Sequence, residues 1–552
     1  MNVRTRPAAA LLAAALALPS PASGQRWTLP EAQQRGVDSV FAFVGRDEPG
    51  CAVGVIRDGI LAYGRGYGLA NLDLGVPLST ASVFDIGSVS KQFTATAVAL
   101  LDLDGVLSLD DEVRRWIPEL PDYGHALTIR HLLNHTSGVR DYLTLLSLAG
   151  FDYDNVFDEQ DGIDVIVRQQ ALNFTPGSEY LYSNSGYLML ANIVRRASGE
   201  SLRAFLQRRV FDPLGMAHTS IWDDNGEVVA RRATGYGRGR DGAWRIDHAW
   251  NFQMGGDGQA LTSVEDLARW DANFYDPVVG GPGLLERLHT RGVLNSGDTI
   301  AYALGLSVDT YRGLRRVSHG GSWAGFRAQL TRFPDRRTSI VVECNRGDAN
   351  PGRYTAEVAD LVMADAFTEE VAAAAPSGAA PAVTLTPAQL QRWAGLYRHA
   401  ARPEYVRLEV VDGALTFTRG GGGRLTPVDE ATFRPVVGQP VRFADEGGTA
   451  TMAVAGGTYL RVTPVAADPP DVARVAGSYR SDELDVSWTL EADGGTLALL
   501  GPDGEAIPLQ PGAPDEWFGP ATITVVREGG RVAGLRVFAG RVTGIAFARE
   551  GA

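Results

Sequence analysis

The chain has 552 residues, which is too long for one hydrophobic core and predicts roughly three or four domains. Apolar residues make up 45% and charged residues 21%, as in ordinary globular proteins. The formal net charge of −14 argues against nucleic acid as a partner, because an acidic surface repels phosphate.

Residues 1–24 are predicted to be a signal peptide. Arg4 and Arg6 precede an apolar run of about a dozen residues, and small residues suited to cleavage follow at Ala22 and Gly24. A membrane anchor is the alternative, but the run is shorter than the roughly 20 residues that a span needs, and two prolines close it. We therefore expect an exported protein, periplasmic or extracellular, with no stable membrane span after cleavage.

Residues 25–368 are predicted to form one large domain of mixed helices and strands. The segment CAVGVIRDGILAYGRGYG, which starts at Cys51, is typical of a hairpin, whereas YLMLANIVRRASGESLRAFLQRRVF, from Tyr187, has apolar residues at helical spacing. Strand-like runs return near residues 317–345. This order predicts an α+β layer structure in which one sheet joins both ends of the domain.

Two β domains are predicted after a linker. Residues 369–387 are rich in alanine, proline and other small residues, which cannot bury a core. Beyond them WAGLYR, at 393–398, is echoed by VAGSYR, at 475–480, and each copy continues as short alternating runs broken by Gly and Asp. We expect antiparallel domains, barrel or lipocalin-like, at 388–465 and 471–552.

The two cysteines, Cys51 and Cys344, each lie in an apolar, strand-like run. Export makes one disulfide chemically feasible, but small buried thiols are the favoured interpretation. Two cysteines alone cannot form a cysteine zinc site.

Ser88 is the best supported of several candidate nucleophiles. Ser88 and Lys91, in FDIGSVSKQFTATAVALL, stand three residues apart at the start of an apolar helix, so one turn brings the amine beside the hydroxyl. The positive helix end and burial both disfavour a charged lysine, so Ser88 can be activated without a histidine. The spacing alone is also common on exposed helices.

Tyr182 and Asn184 flank Ser183 in YLYSNSGYLML. Alternate residues of an extended stretch point to the same side, so the phenol and the amide are expected to face one cleft. A phenol held near a lysine ammonium loses its proton more readily, and Tyr182 would then relay a proton. Taken alone, such an aromatic-rich segment more often reflects packing than a catalytic site.

Ser-x-x-Lys, then Tyr-x-Asn about 90 residues later, then His-x-Gly near the end of the large domain, resembles the penicillin-recognising serine hydrolases. This family includes class C β-lactamases, D-aminopeptidases, DD-carboxypeptidases and related esterases. LLNHTSGVRDY at 132–142, VFDPLGMAHTSI at 210–221 and GGDGQALTSVEDLARW at 255–270 are similar to the family as well. The resemblance covers about residues 35–365 and implies a β-lactamase-like α/β sandwich.

The resemblance also implies roles for the motif residues. Ser88 is the nucleophile, and Lys91 and Tyr182 move its proton. Asn184 holds the substrate amide and orients the lysine. The family's first and last core strands lie side by side, so the two cysteines are expected to be neighbours even if they are not bonded.

The segment VSHGGSWAGF, residues 317–326, has two interpretations. It is close to a G-x-S-x-G nucleophile elbow at Ser322, but Ala324 stands where the second glycine belongs. By the resemblance it corresponds instead to the family's Lys-Thr-Gly-Ser strand. His319 then lines the cleft and Gly321 allows close approach of the substrate, while the N–H groups of residues 88 and 322 form the oxyanion hole.

HLLNH places His131 and His135 four residues apart, as on a zinc-binding helix, but the glutamate of H-E-x-x-H is missing. We expect the two histidines to cap and pack the following turn. The predicted chemistry requires no metal and no other cofactor.

Departures from the family pattern narrow the substrate. In the family's Lys-Thr-Gly-Ser strand, the lysine charge and the threonine hydroxyl help to bind a substrate carboxylate. Here His319, which is largely neutral at pH 7, and Gly320, which has no hydroxyl, stand in their places, so neither group is available. D-aminopeptidase and esterase members share this His-x-Gly form, and one such aminopeptidase type carries two C-terminal β-barrels. We expect a serine hydrolase of short peptides or amides with a D-residue; a small ester is the second substrate class, and a β-lactam or DD-carboxypeptidase substrate the third.

A different class stays open, because hydrolase folds also serve as binding domains. The chain would then be a non-catalytic binder of a wall fragment or glycan. In the catalytic interpretation the β domains tune access to the cleft, and the loop TRGGGGRLTP at 418–427 offers Arg419 and Arg424 for this purpose. A solvated hairpin turn is the alternative for that loop. The sequence indicates no oligomeric state.

Overall fold

The computed structural model describes residues 28–151, 155–247, 251–368, 383–419, 423–435, 440–454, 457–465, 469–493, 495–501 and 504–551. The predicted signal peptide lies outside these ranges, as do residues 369–382 of the predicted linker and residues 420–422 of the predicted loop. The α+β class with two following antiparallel β domains is confirmed.

Among its described residues, the first domain has fifteen strands. They are β1 (Cys51–Arg57), β2 (Ile60–Tyr67), β3 (Leu69–Asn71), β4 (Val76–Pro77), β5 (Phe84–Asp85), β6 (Phe157–Asp158), β7 (Ser220–Ile221), β8 (Tyr236–Arg238), β9 (Trp244–Ile246), β10 (Phe252–Gln253), β11 (Ala260–Thr262), β12 (Ser307–Tyr311), β13 (Leu314–Trp323), β14 (Phe326–Phe333) and β15 (Thr338–Cys344). The main sheet is antiparallel and has six strands in the order β12-β13-β14-β15-β1-β2.

Helices cover both faces of this sheet. They are α1 (Glu31–Val40), α2 (Lys91–Leu103), α3 (Ile129–Leu133), α4 (Tyr142–Leu148), α5 (Glu159–Val167), α6 (Asn184–Ser198), α7 (Leu202–Leu206), α8 (Asp212–Leu214), α9 (Val264–Ala272), α10 (Gly281–His289) and α11 (Pro351–Val362). β1 and β15 are buried on both faces; β1 is apolar up to Arg57, whereas β15 also buries Thr338, Ser339 and Glu343. α1 and α11 pack on one face, whereas the buried helices α2 and α6 pack together in the large core on the other.

The first β domain begins with α12 (Pro387–Gln391) and continues with eight strands. They are β16 (Gly395–His399), β17 (Tyr405–Val411), β18 (Ala414–Arg419), β19 (Leu425–Pro427), β20 (Thr432–Pro435), β21 (Val441–Glu446), β22 (Thr449–Val454) and β23 (Gly457–Val462). They form one antiparallel sheet in the order β18-β17-β16-β23-β22-β21-β20-β19, and a bridge between Thr416 and Arg424 joins its two ends.

The last domain begins with α13 (Pro469–Val475) and is a closed barrel. Its strands are β24 (Gly477–Ser481), β25 (Val486–Asp493), β26 (Thr496–Leu500), β27 (Ala506–Pro511), β28 (Glu516–Phe518), β29 (Thr522–Glu528), β30 (Arg531–Ala539) and β31 (Val542–Arg549). Among the helices that the structure describes, none is long and apolar enough to cross a membrane.

Cys51 and Cys344 are disulfide-bonded, so the favoured expectation of two buried thiols is wrong. The two residues are register partners where β1 pairs with β15, which confirms that they are neighbours. Their Cα atoms lie 4.0 Å apart. Apolar surroundings in the sequence are the same for a buried thiol and for a disulfide. The bond forms because the pairing of β1 with β15 brings the two cysteines together.

The last barrel packs against the first domain through a buried ion pair. Arg140 Nη1 lies 2.8 Å from Glu483 Oε1, and the two side chains are only 2% and 10% exposed. The same guanidinium donates to the carbonyl oxygen of Thr543, which follows the β30–β31 turn. Asn173 donates to the carbonyl oxygen of Arg541 in that turn. The turn is thereby held against the part of the first domain that carries the candidate site.

Candidate active site

A short 3₁₀ turn, Gly87–Ser90, carries Ser88 to the start of α2. Gly87 has a φ of +49°, and a Cβ there would lie 2.7 Å from the backbone nitrogen of Ser322, so glycine allows the turn to approach β13. Lys91 begins α2, and its Nζ lies 3.1 Å from Ser88 Oγ. The structure thus brings together the predicted serine and lysine.

The Lys91 amine is fully buried and has three oxygen neighbours. Besides Ser88, its Nζ lies 2.9 Å from Asn184 Oδ1 and 2.5 Å from the carbonyl oxygen of Asp257. Burial lowers the pKa of Lys91 to about 8, although Asp257 and Asp141 act in the opposite direction. A neutral amine keeps two N–H donors for Asn184 and Asp257, so its lone pair is left for the serine hydroxyl.

Tyr182 lies beside Ser88 and Lys91, with Lys91 Nζ 4.9 Å from the centre of its ring. Ser88, Lys91 and Tyr182 are called the cluster below. Its buried hydroxyl interacts with the Ser88 hydroxyl but makes no hydrogen bond of regular geometry with the described residues. Burial raises the pKa of Tyr182, and the Ser88 hydroxyl opposes this shift only in part. The expectation of a more acidic phenol is therefore wrong: desolvation outweighs the nearby positive charges, and Tyr182 keeps its proton.

The β13 strand passes directly beside the Ser88 turn. A Cβ on Gly321 would lie 1.9 Å from the carbonyl oxygen of Ile86 and 3.2 Å from the nitrogen of Ser88. Ser322 follows in the same strand, and both serines line one narrow cleft. The nucleophile elbow is excluded, because Ser322 lies within a strand and not at a strand-to-helix turn.

His319 lies on the other side of Tyr182, with 6.2 Å between the ring centres. Its Nδ1 is 2.7 Å from the carbonyl oxygen of Gly320 and must carry the proton, because a carbonyl only accepts. Its Nε2 then accepts from the Tyr302 hydroxyl at 2.9 Å. Burial lowers the pKa of His319 to about 4, so the ring is neutral at pH 7. It offers no charge to a substrate carboxylate.

The two histidines of HLLNH accept hydrogen bonds from backbone N–H groups. His131 Nδ1 accepts from the N–H of Thr128 and closes a capping box at the start of α3. His135 Nδ1 accepts from the N–H of Ser183, and its ring lies 4.1 Å from that of Tyr182. Within the described residues, no group of His, Cys, Asp or Glu side chains is arranged to hold a metal ion.

Two charged residues near the cluster were missed by the sequence analysis. Asp141 Oδ2 accepts from the backbone nitrogen of Asn184 at 2.7 Å and so fixes the start of α6. Arg541, from the last barrel, lies 3.5 Å from the same carboxylate oxygen, with its guanidinium 4.8 Å from the centre of the Tyr182 ring. Asp141 belongs to the family-like segment LLNHTSGVRDY at 132–142, whereas nothing in the sequence around Arg541 marks it as a residue near the site.

The predicted loop 418–427 does not supply this contact. Arg419 donates to the carbonyl oxygen of Gly519, and its guanidinium lies over the ring of Phe518, so it joins the two β domains. Arg424 pairs with Thr416 where the two ends of the sheet of the first β domain meet. The barrel residue beside the cluster is Arg541 instead, in the β30–β31 turn.

A serine beside a buried lysine, with a tyrosine and a close-packed strand, is the arrangement expected of a serine hydrolase. The sequence model of the Beta-lactamase family matches residues 37–364. The chain belongs to this family, and its first domain has the predicted β-lactamase-like fold.

Proteins with different names are similar to this chain. A D-aminopeptidase of Cereibacter sphaeroides is 30% identical over 509 residues, which cover 89% of this chain and 93% of that protein. Penicillin-binding protein 4* of Bacillus subtilis is 32% identical over 304 residues, or 52% of this chain and 66% of that protein. The octameric penicillin-binding protein homologue from Pyrococcus abyssi has the same fold, with a TM-score of 0.57 and 21% identity over 78% of this chain and 99% of its own.

Proposed function

We propose that this serine hydrolase cleaves the amide bond of short peptides or amides that carry a D-residue on the acyl side. The observation that carries the proposal is the Ser88–Lys91 contact of 3.1 Å beside a neutral His319. The similarity to the D-aminopeptidase of Cereibacter sphaeroides, which extends over both β domains, supports the D-residue.

Acylation begins when Ser88 Oγ attacks the carbonyl carbon. The neutral form of Lys91 takes the hydroxyl proton, and the backbone N–H groups of Ser88 and Ser322 hold the negative oxygen of the tetrahedral intermediate. When that intermediate collapses, the C–N bond breaks, and its electron pair leaves with the nitrogen.

The leaving nitrogen takes a proton from Tyr182, which recovers one from the Lys91 ammonium. A phenol whose pKa is raised by burial suits this step, because it remains protonated until the nitrogen needs the proton. Water then attacks the ester at Ser88 and releases the acid. Asn184 keeps Lys91 in place through the 2.9 Å contact with its amine.

The leading alternative substrate is a small ester, because the same cluster cleaves esters without protonating a nitrogen. β-Lactams and DD-carboxypeptidase substrates rank third. Their carboxylate would face His319, whose pKa of about 4 leaves it uncharged, and Gly320, which has no hydroxyl.

The test compares wild type, Ser88→Ala and Ser322→Ala on a D-alanyl anilide, a short nitrophenyl ester and a chromogenic cephalosporin. We expect the anilide to be the best substrate, Ser88→Ala to lose all turnover, and Ser322→Ala to keep most of it because only its backbone is used. An equally inactive Ser322→Ala enzyme would contradict the assignment.

A fluorophosphonate label distinguishes the enzyme from a binding protein. We expect a covalent adduct on wild type and none on Ser88→Ala. Absence of an adduct on folded wild type would favour the non-catalytic binder of a wall fragment or glycan.

We also propose that the protein is exported. The charged and then apolar residues 1–24 support this, and so does the Cys51–Cys344 disulfide, because such bonds persist in oxidising compartments. Mass spectrometry of the secreted chain should find a mature N-terminus near residue 23 or 25. A full-length chain retained in the cytoplasm would contradict export.

A further inference from the structure

Ser90 is a second serine in the Ser-x-x-Lys segment, and the proposed mechanism does not use it. Its side chain is fully buried, and it stands at the N-cap position of α2. A serine at that position normally accepts a hydrogen bond from a backbone N–H of the first helical turn. The Ser90 hydroxyl makes no such bond, so helix capping does not explain this residue.

The Ser90 hydroxyl instead binds back to the turn that carries Ser88. Its Oγ donates to the carbonyl oxygen of Gly87 at 2.6 Å and accepts from the backbone N–H of Ala260 at 3.0 Å. The carbonyl oxygen of Ala260 in turn accepts from the N–H of Ile86 at 3.1 Å. Strand β11 therefore holds the turn at both of its ends.

These bonds act on the peptide group that carries one of the proposed oxyanion donors. The carbonyl of Gly87 and the N–H of Ser88 belong to one planar unit, in which the two groups point in opposite directions. A bond that fixes the direction of the carbonyl fixes the direction of the N–H as well. The Ser90 hydroxyl thus determines where the Ser88 N–H points.

Gly87 makes such a restraint necessary. Its φ of +49° lets the turn approach β13, but glycine is also the residue with the greatest backbone freedom. The buried Asp85 restrains it from the other side, because Asp85 Oδ1 accepts from the N–H of Gly87 at 2.8 Å. Both polar backbone groups of Gly87 are therefore held by side chains.

The same bonds also strengthen the donor. They form a chain from the N–H of Ala260 through the Ser90 hydroxyl to the carbonyl of Gly87. Hydrogen bonds in a chain polarise one another, and a carbonyl that accepts such a bond makes the N–H of its own peptide group a better donor. The Ser88 N–H would benefit when negative charge develops on the substrate oxygen.

We propose that Ser90 and Asp85 are positioning residues, which hold Gly87 so that the Ser88 N–H is directed at the oxyanion. The inference rests on the proposed function, because that function assigns this N–H to the oxyanion hole. Both residues act through the backbone of Gly87 and not on the substrate itself.

The test compares Ser90→Ala with Ser185→Ala, a closely matched control. Ser185 is also fully buried, and its Oγ donates to the carbonyl oxygen of Arg140 and accepts from the N–H of Tyr142, both at 2.7 Å. Each variant loses two buried hydrogen bonds, so thermal unfolding should show a similar loss of stability in both.

Only Ser90→Ala is expected to lower kcat for a D-alanyl anilide, by about tenfold to a hundredfold, which is part of the cost of losing a whole oxyanion donor. KM should change little, because the donor acts on the transition state. Equal losses of kcat in Ser90→Ala and Ser185→Ala, or a wild-type kcat in Ser90→Ala, would refute the positioning role.

A pair of Asp85 variants tests the other restraint and does not depend on whether Ser90→Ala folds. Asp85→Ala removes the acceptor for the Gly87 N–H and should lower kcat about tenfold. Asp85→Asn keeps an Oδ1 acceptor and should restore kcat to within a fewfold of wild type. If both variants lose the same activity, the charge of Asp85 matters and its hold on Gly87 does not.

The rate of fluorophosphonate labelling separates this inference from the proposed function. Phosphonylation of Ser88 also places a negative oxygen in the oxyanion hole, but the reagent has no D-residue. Labelling should be at least about tenfold slower in Ser90→Ala than in wild type and Ser185→Ala. If wild type cleaves no D-substrate while this pattern holds, the proposed function fails and the positioning role stands. If the D-alanyl anilide is cleaved but Ser90→Ala is labelled at the wild-type rate, the positioning role fails.

Discussion

In the proposed mechanism, Lys91 is the residue whose surroundings decide at which pH the site is active. Its amine is fully buried among Ser88, Asn184 and the backbone of Asp257, and burial lowers its pKa from 10.5 to about 8. Below that value the ammonium form dominates and cannot take the serine proton. The pKa of His319, about 4, lies far lower, and Tyr182 keeps its proton because burial raises its pKa.

We predict that kcat/KM for a D-alanyl anilide rises about tenfold per pH unit below pH 8 and levels off above it. Asn184→Asp places a carboxylate beside the amine, which favours the ammonium, so the midpoint should move to higher pH. The pH profiles of both enzymes provide the measurement. A midpoint near pH 6, or one that Asn184→Asp leaves in place, would show that Lys91 is not the base.

At the scale of elements, the site depends on how closely β13 packs against the Ser88 turn. The resemblance implies a role for Gly321 in letting the substrate approach, and the structure adds a packing requirement at the same residue. A Cβ there would lie 1.9 Å from a backbone oxygen, that of Ile86, which has little freedom to move. Any larger residue at 321 must push the strand and the turn apart.

We predict that Gly321→Ala lowers kcat by about 10²–10³, the usual cost of losing one oxyanion donor. Gly320→Ala is the matched control, because its Cβ would lie 2.9 Å from Gln329 Oε1, the end of a flexible side chain. The control should stay within a fewfold of wild type. If Gly321→Ala retains full kcat, the packing of β13 on the turn does not set the geometry of the site.

At the scale of the whole molecule, the last barrel contributes a charge to the cluster. The structure places Ser88, Lys91 and Tyr182 in the first domain, as expected, but Arg541 of the barrel lies over the Tyr182 ring and 3.5 Å from Asp141. Removing the barrel would also leave the buried Arg140 without Glu483, its partner in the ion pair. A chain truncated near residue 375 is thus expected to lose stability as well as to change its substrate preference.

We predict that Arg541→Met raises the pKa of Lys91, because the guanidinium is one of the groups that lower it. The pH profile should shift to higher pH, with kcat/KM at pH 7 lower by about threefold, which corresponds to half a pKa unit. Arg541→Lys keeps the charge and should restore the profile. A charge-independent effect, equal in both variants, would assign Arg541 a packing role only.

The sequence by itself determined the class of fold and the candidate reacting residues, which the structure brings together. The three-residue spacing of Ser88 and Lys91 sets their contact, because one helical turn is local geometry that no distant contact has to supply. The order of motifs indicated the family, and the composition of residues 369–387 indicated the break before the β domains. The neutral state of His319 also followed from its residue type.

Only the tertiary structure decided the properties that depend on burial and on distant partners. Burial reverses the expected shift of the Tyr182 pKa, and the pairing of β1 with β15 brings Cys51 to Cys344. Arg541 reaches the cluster through the docking of the last barrel. Such features arise from contacts between residues hundreds of positions apart, and a sequence pattern records only neighbours along the chain.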